Sequence, residues 1–157
     1  AAFERTLLTP SNFDKFLGGD KTALNDQELK GLKTFVEVGC TACHSGELLG
    51  ATMFQKYPLF GTHKEYTGSD VDDKGKMQAT KVETDMYLFK VPSLRNIAKT
   101  APYLHDGSVK ELDKMVKIMG KAELNKDLTP EQVTDIVAFL NALTGEVPAA
   151  AKMVAAK

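Results

Sequence analysis

Five consecutive residues, Cys40-Thr-Ala-Cys43-His44, constrain this chain more than any other feature of its sequence. Two thiols that are two residues apart can add to the two vinyl groups of one porphyrin, and the histidine that follows then lies under the iron as its proximal ligand. The helix expected before Cys40 ends where the porphyrin would begin, so its apolar face can cover one side of the ring. The motif therefore predicts one haem c, attached through Cys40 and Cys43 and ligated by His44.

Two other interpretations of this motif are weaker. A redox-active dithiol with this spacing belongs to a strand–helix–strand context, which the neighbouring sequence does not show. A zinc half-site needs two further ligands. The strong candidates, His63 and His105, do not have the spacing of a zinc-binding histidine pair.

Charge and length exclude several further classes of protein. The chain has 20 Lys and Arg against 21 Asp and Glu, a net charge of −1, which gives no electrostatic support for nucleic-acid binding. It has no run of about eighteen apolar residues, so we expect no membrane span. A chain of 157 residues suits one domain that buries its own core, and two cysteines rule out a disulfide framework.

Three amphipathic helices are predicted from capping residues that precede apolar residues at helical spacing. The expected N-caps are Asn25, Ser108 and Thr129. These helices would end at Gly39, at Gly120 and at Gly145, and a shorter helical turn is expected at 11–17.

Residues 45–90 show neither a helical nor a strand period, and we interpret them as a long surface excursion without a convincing strand. The predicted fold class is therefore all-α, a helical domain around one covalent haem, with long loops. We expect an N-terminal extension or inter-domain segment at 1–24, the haem domain at 25–145 and a C-terminal tail at 146–157.

The sixth iron ligand cannot be chosen from spacing alone, because the six methionines, His63, His105 and the absence of any sixth ligand all remain open. Met115 and Met119 both lie on the inward face of the second long helix. Met119 is better placed if the helix ends beside it, because its thioether could then lean over the ring. The remaining methionines are expected in loops or in the tail: Met53, Met77, Met86 and Met153.

Four further polar residues near these segments have simple expected roles. His63 is expected to be an exposed loop histidine, and His105 a turn histidine that is hydrogen-bonded to the backbone. Arg95 and Lys99 could pair with haem propionates, although most basic side chains are simply solvated.

Longer stretches of the chain resemble the C-terminal half of the bacterial dihaem cytochrome c peroxidases, in order and with similar spacing. They are AAFERTLLTPSNFDKFLGGD, LKTFVEVGCTACHSGELLGATMFQK, FKVPSLRNIAKTAPYLHDGSVKELDKMVKIMG and DIVAFLNALTG. The block KVPSLRN…TAPYLHDG is more specific than the C-x-x-C-H motif, which every cytochrome c shares. In that family the N-terminal half holds the haem where peroxide is reduced. The C-terminal half holds a high-potential haem with histidine and methionine ligands.

The resemblance assigns roles to individual residues. Cys40 and Cys43 match the thioether cysteines, His44 the proximal ligand, and Met119 the distal methionine. The family also binds calcium between its halves, through main-chain carbonyls at the positions that match Thr100 and Pro102. A related family of dihaem enzymes, which mature a protein-derived quinone cofactor, has tyrosine where this chain has Met119, so the methionine favours the peroxidase branch.

The resemblance thus implies an electron relay. The chain would take electrons from a small donor protein, a cytochrome c or a copper protein, and pass them to the peroxidatic haem of the other half. Peroxide would not be reduced on this chain itself. Only one C-x-x-C-H is present, and AAFERTLLTP looks like the segment that joins the two halves, so we expect a fragment of a longer enzyme. The alternative is a free-standing monohaem carrier.

The expected location follows from the chemistry of attachment. The N-terminus shows no signal peptide, but thioether attachment of haem takes place outside the bacterial cytoplasm. We therefore expect the mature protein in the periplasm, after removal of a leader. A homodimer is compatible with this interpretation.

Overall fold

The structure, a computed structural model, describes residues 9–148 of the chain. Within that range the helices are α1 (Asn12–Leu17), α2 (Asp26–Val38), α3 (His63–Thr67), α4 (Met77–Thr80), α5 (Leu112–Leu124) and α6 (Pro130–Ala142). Two short strands, β1 (Phe54–Lys56) and β2 (Leu88–Lys90), pair antiparallel. Single 3₁₀ turns lie at Cys40–Ala42, Glu83–Asp85 and Ile97–Lys99. The described part is mainly helical, in agreement with the expected all-α class.

Some predictions fall outside this range. Residues 1–8 and 149–157, with Met153 and most of the predicted tail at 146–157, lie outside the described residues. None of the helices found in residues 9–148 has the length and apolarity needed to cross a membrane.

The predicted beginning and end of α2 are confirmed. The Asn25 side chain accepts a hydrogen bond from the backbone N–H of Glu28, and the Glu28 carboxylate accepts one from the backbone N–H of Asn25. This reciprocal pair satisfies two backbone donors that a helix N-terminus otherwise leaves unpaired. Gly39 ends the helix in the left-handed conformation, with φ of 107°, which glycine adopts at no steric cost. The chain then turns directly into Cys40.

Helix α6 begins as predicted but ends earlier. Thr129 and Gln132 form the expected capping box, and Pro130 occupies the first turn. The helix ends at Ala142, three residues before Gly145. The N–H of Gly145 donates instead to the side chain of Asn96 at 2.9 Å, so this glycine belongs to a contact between segments.

The boundaries predicted for α5 are wrong at both ends. Its N-cap is Glu111, because Val109 pairs with Tyr103 in an isolated bridge and holds the preceding residues extended. The helix also continues past Gly120 to Leu124. A Cβ on Gly120 would lie 2.8 Å from the side chain of Leu128, so Gly120 permits close packing and does not end the helix.

The segment 45–90 is more structured than predicted. It contains β1, β2, α3 and α4, and Phe54 stands opposite Lys90 in the antiparallel pair. The expectation of no strand is therefore wrong. Three-residue strands are too short to show an alternation of apolar and polar residues, and their pairing joins residues far apart in the chain.

The core centres on the crossing of α2 and α6. At Gly31 the backbone of α6 comes so close that a Cβ would lie 1.9 Å from the carbonyl oxygen of Asp135. The ring of Phe139 meets those of Phe35 and Phe13, each at 5.3 Å between centroids. Aromatic pairs at this separation add stability beyond their buried area. Phe13 joins α1 to the same core.

The crossing predicts the effect of one added methyl group. Gly31→Ala should lower the free energy of unfolding by about 1–3 kcal/mol, because the two helices must separate to admit the side chain. Urea unfolding followed by far-ultraviolet circular dichroism measures this loss. Gly18→Ala is the control, since φ there is −73° and the new Cβ would come no closer than 3.3 Å to another atom. Equal stability of the two variants would contradict the prediction.

Candidate functional site

A cavity of about 520 Å³ opens beside the end of α2. Phe35 and the C-x-x-C-H motif form one wall, and one face of α5 forms another. The pair β1–β2 and the loop that follows close the remaining side. The lining is mostly apolar: Phe35, Tyr57, Phe89, Val91, Leu94, Ile97, Leu104, Leu112, Val116, Leu124, Ile136 and Leu140. Its volume is in the range usual for cofactor sites.

Both cysteines of the motif line this cavity and are free thiols. Burial raises the pKa of Cys40 to about 11 and also raises that of Cys43. The thiols are therefore protonated at neutral pH. Redox-active pairs of this spacing have lowered pKa values, so the surroundings of these two cysteines disfavour the dithiol interpretation.

His44 follows in the same turn, and its ring is held by the backbone. Its Nδ1 lies 3.1 Å from the carbonyl oxygen of Leu49, to which an N–H at that position donates. Burial lowers the pKa of His44, which favours the neutral ring. A neutral imidazole that donates from Nδ1 keeps the lone pair of Nε2 free for a metal.

Gly50 makes this arrangement of His44 sterically possible. Its φ of 129° lies in the left-handed region, and a Cβ there would lie 2.2 Å from the carbonyl oxygen of Pro92 and 3.2 Å from His44 Nδ1. Any larger residue would push apart the two segments that hold the ring.

Across the cavity, α5 presents Met115 and Met119. These are the described methionines that line the cavity, one helical turn apart. Met119 lies within α5, five residues before its end at Leu124. The sequence argument that a terminal position lets its thioether lean outward is therefore wrong. Both residues line the cavity, and Met53, Met77 and Met86 do not.

Two buried polar groups on the wall were missed by sequence reasoning. Glu123 lines the cavity four residues after Met119, and burial raises its pKa to about 7. Tyr57 lines it from the end of β1, and burial raises the pKa of its hydroxyl. The Tyr57 hydroxyl and Glu123 Oε1 are buried without a hydrogen-bond partner. The spacing of Glu123 from Met115 and Met119 could have placed it on this face.

These residues fit a haem c. The two cysteines, His44, Met115 and Met119 line one cavity, and most of the remaining lining is apolar. The unpartnered oxygens of Tyr57 and Glu123 show that the wall has polar groups still able to meet a bound group.

Arg95, a candidate for pairing with haem propionates, has other partners. Its guanidinium donates to the Asp14 carboxylate at 2.7 Å and to the carbonyl oxygen of Glu47 at 2.7 Å. It thereby ties the loop after His44 to α1. Neither Arg95 nor Lys99 lines the cavity. Thr100 and Pro102, the positions matched to calcium-binding carbonyls, do line it.

The expectation for His63 is wrong, whereas His105 does lie in a turn, as expected, but with its ring against an aromatic side chain. His63 is only 13 % exposed and bonds through Nε2 to Asp106 at 2.8 Å. His105 stacks on the ring of Phe89, with 4.4 Å between centroids and 15° between planes. Both depend on contacts between segments, which neighbouring residues do not reveal.

Comparison with known proteins agrees with this geometry. The family model described as Cytochrome c matches residues 28–144. The chain is 49% identical over 150 residues to the cytochrome c551 peroxidase of Pseudomonas aeruginosa. The alignment covers 94% of this chain and 42% of that protein. It is 44% identical over 149 residues to the cytochrome c551 peroxidase of Nitrosomonas europaea, with coverage of 94% and 43%.

A solved structure gives the same result for the fold. The crystal structure of a MauG-like protein associated with microbial copper homeostasis aligns with a TM-score of 0.72 at 28% identity, and the alignment covers 88% of this chain and 53% of that one. The fold is thus cytochrome c-like, with a small two-stranded sheet added. The chain spans about two fifths of the length of the curated relatives named above.

The Asp14–Arg95 pair beside the site predicts a pH dependence of stability. Partial burial opposes ionisation of Asp14, but hydrogen bonds from Arg95 and Ser11 lower its pKa from 3.8 to about 2. Its contribution is therefore complete above the unfolded value and is lost as the pH falls towards 2. Asp14→Asn should cost about 1 kcal/mol at pH 7, after allowance for solvent screening.

Unfolding free energies at pH 7 and at pH 2.5 check this. The difference between the wild type and Asp14→Asn should shrink at the lower pH. Asp70→Asn is the control, because Asp70 pairs with Lys64 while 79% exposed and should have little effect. A difference for Asp14→Asn that stays constant with pH would contradict the assignment.

Proposed function

Because the chain belongs to the cytochrome c family, we propose that it is an electron-transfer domain with one haem c, held by Cys40, Cys43 and His44. The observation that supports this most strongly is the His44 ring, whose Nδ1 faces the Leu49 carbonyl oxygen while both thiols line the same cavity. A bound haem would supply one-electron chemistry at its iron. The protein supplies attachment, orientation and an apolar surrounding.

Met119 is the proposed sixth ligand. Support comes from the family resemblance, in which Met119 matches the distal methionine, and from its place on the cavity wall. A thioether ligand favours Fe(II), and an apolar pocket disfavours the additional positive charge of Fe(III). Both effects raise the reduction potential, as an acceptor of electrons from a donor protein requires.

An electron relay is the role that these ligands favour. With His44 and Met119 both bound, the iron has no open position for peroxide. Glu123 is the residue that favours a second role, in peroxide reduction, because a buried carboxyl with a pKa of about 7 could move a proton. With His44 and Met119 both bound to a haem iron, Glu123 would have no role in peroxide chemistry.

The names of the relatives support the proposed partners of this relay. Two of them are named cytochrome c551 peroxidase and extend well beyond the match with this chain. We place the peroxidatic haem on the part of the protein outside this chain and take a small cytochrome c or copper protein as the donor. Such encounters are usually small and guided by charge. A periplasmic location, calcium at the carbonyls of Thr100 and Pro102, and a homodimer complete the proposal.

A free-standing monohaem carrier is the second candidate. It would have the same haem site and the same cavity. It is favoured by the chain's own core, in which α1, α2 and α6 meet through Phe13, Phe35 and Phe139.

Paired substitutions in α5 test the ligand. In the haem-loaded protein, Met119→Ala should abolish the methionine–iron charge-transfer absorption and lower the reduction potential. Met115→Ala should keep that absorption and cost about 1–3 kcal/mol of stability as a partly buried truncation. Visible spectroscopy and redox titration measure these effects.

The two variants control each other, because both shorten a methionine on the same face of α5. Both should keep their colour with the protein after acid–organic extraction, since the thioethers at Cys40 and Cys43 are unchanged. Loss of the absorption in Met115→Ala alone would reverse the assignment.

Peroxide turnover tests the relay. We expect the haem-loaded chain to reduce peroxide far more slowly, with a reduced donor present, than the two-haem enzyme of which it would form part. Met119→Ala should turn over faster than the wild type, because it frees an axial position. Comparable rates for the isolated chain and the two-haem enzyme would refute the relay role.

A further inference from the structure

Two imidazoles and one carboxylate meet at the wall of the cavity, which His105 helps to line. His63 begins α3, whereas His105 and Asp106 lie in the turn before α5. Each of the three offers one ligand atom, and these atoms all lie within 4.8 Å of one another. The two rings are 4.9 Å apart between centroids. We call this set the His–His–Asp cluster.

One ring atom of the cluster has no hydrogen-bond partner. His63 Nδ1 is buried and unpartnered, while Nε2 of the same ring lies 2.8 Å from Asp106 Oδ2. A buried polar atom without a partner is costly, so it calls for an unplaced water or ion. Because Nε2 bonds to Asp106, Nδ1 is the His63 nitrogen that is free to bind a cation.

The charges of the cluster favour a cation. Partial burial alone would raise the pKa of Asp106, but hydrogen bonds from Ser108 and His63 hold that pKa well below its usual range. Desolvation, followed by the neighbouring His63 ring, lowers the pKa of His105. The carboxylate is thus ionised at neutral pH, and His105 favours its neutral form, in which one nitrogen can donate a lone pair.

Neighbouring contacts already orient two of the three side chains. The N–H of Ser108 donates to Asp106 Oδ1 at 3.0 Å, which leaves Oδ2 directed at His63. The ring of Phe89 stacks on His105 and limits its rotation. Outer contacts of this kind fix ligand orientation in metal sites.

We propose that the His–His–Asp cluster binds a divalent transition-metal cation of the Zn²⁺ type. Two imidazole nitrogens and one carboxylate oxygen are a ligand set that zinc accepts, with bonds of about 2.0–2.2 Å. The 2.8 Å between His63 Nε2 and Asp106 Oδ2 is a hydrogen bond, so the cation would bind at the free Nδ1 of His63. The ligand atoms that the three residues can offer lie within 4.8 Å of one another, and the side chains must rotate to close around an ion at these bond lengths. Three protein ligands leave a position for water.

The ligand set also separates this site from a calcium site. Calcium takes six to eight oxygen ligands, whereas the cluster offers one carboxylate and two nitrogens. The carbonyls of Thr100 and Pro102 are not among its ligands. The proposal does not depend on the haem function, because none of its three residues attaches or ligates the haem.

Equilibrium dialysis of the haem-loaded chain against Zn²⁺, with bound metal measured by mass spectrometry, tests the site. The wild type should bind one equivalent that excess Ca²⁺ does not displace. His63→Gln and His105→Ala should each weaken this binding by at least roughly tenfold, since even outer contacts cost that much in metal sites. Lys64→Ala is the matched control, because Lys64 adjoins His63 but is 69% exposed and pairs with Asp70.

A second measurement does not need variants. Zn²⁺ should protect His63 and His105 of the wild type from diethyl pyrocarbonate, as mapped by peptide mass spectrometry. Equal zinc binding by the wild type and by a His63→Gln/His105→Ala double variant would overturn the proposal. Displacement by Ca²⁺, or modification of both histidines at the same rate with and without Zn²⁺, would also overturn it.

Discussion

The close crossing of α2 and α6 at Gly31 is the contact on which the rest of the structure depends. The carbonyl oxygen of Asp135 occupies the space that a side chain on Gly31 would need, so the helices approach at backbone distance. This fixes the position of α2, and therefore that of Cys40, which follows the Gly39 that ends the helix. Phe35, one turn before that end, packs on Phe139 and also lines the cavity. The core and the site thus share a wall, and a shift of α2 would move the attachment motif with it.

Local sequence signals predicted the structure correctly where both partners of a contact lie within a few residues of each other. Asn25 with Glu28, and Thr129 with Gln132, cap their helices within four residues, and both were predicted. The prediction that the helix ends at Gly120 was wrong, because a glycine can either end a helix or allow another segment to pack closely against it. Only the position of Leu128 shows that packing is its role. The pairing of β1 with β2 was missed for a related reason, since about thirty residues separate the strands and no short pattern records such a contact.

The candidate site also has features that local sequence predicts and features that depend on distant residues. The two thiols and His44 could be named from the sequence because their chemistry is contained in five residues. The tautomer of His44 could not, since it depends on the Leu49 carbonyl in a turn without a sequence signature. The His–His–Asp cluster was harder still to predict from the sequence. His63 and Asp106 are 43 residues apart, and the polar sequence around His63 suggested a solvated loop.

The excursion at 45–90 joins the two proposed sites. It supplies Tyr57 and Phe89 to the cavity wall, and the same two rings contact His105, at 6.2 Å and 4.4 Å between centroids. A cation at the cluster would thus lie against the wall that encloses the haem. Positive charge near the haem disfavours Fe(III), which carries one more positive charge than Fe(II), and this raises the reduction potential. By linkage, reduction of the iron would strengthen cation binding by the same factor. An ion bound at the proposed cluster would therefore adjust electron transfer without contacting the iron.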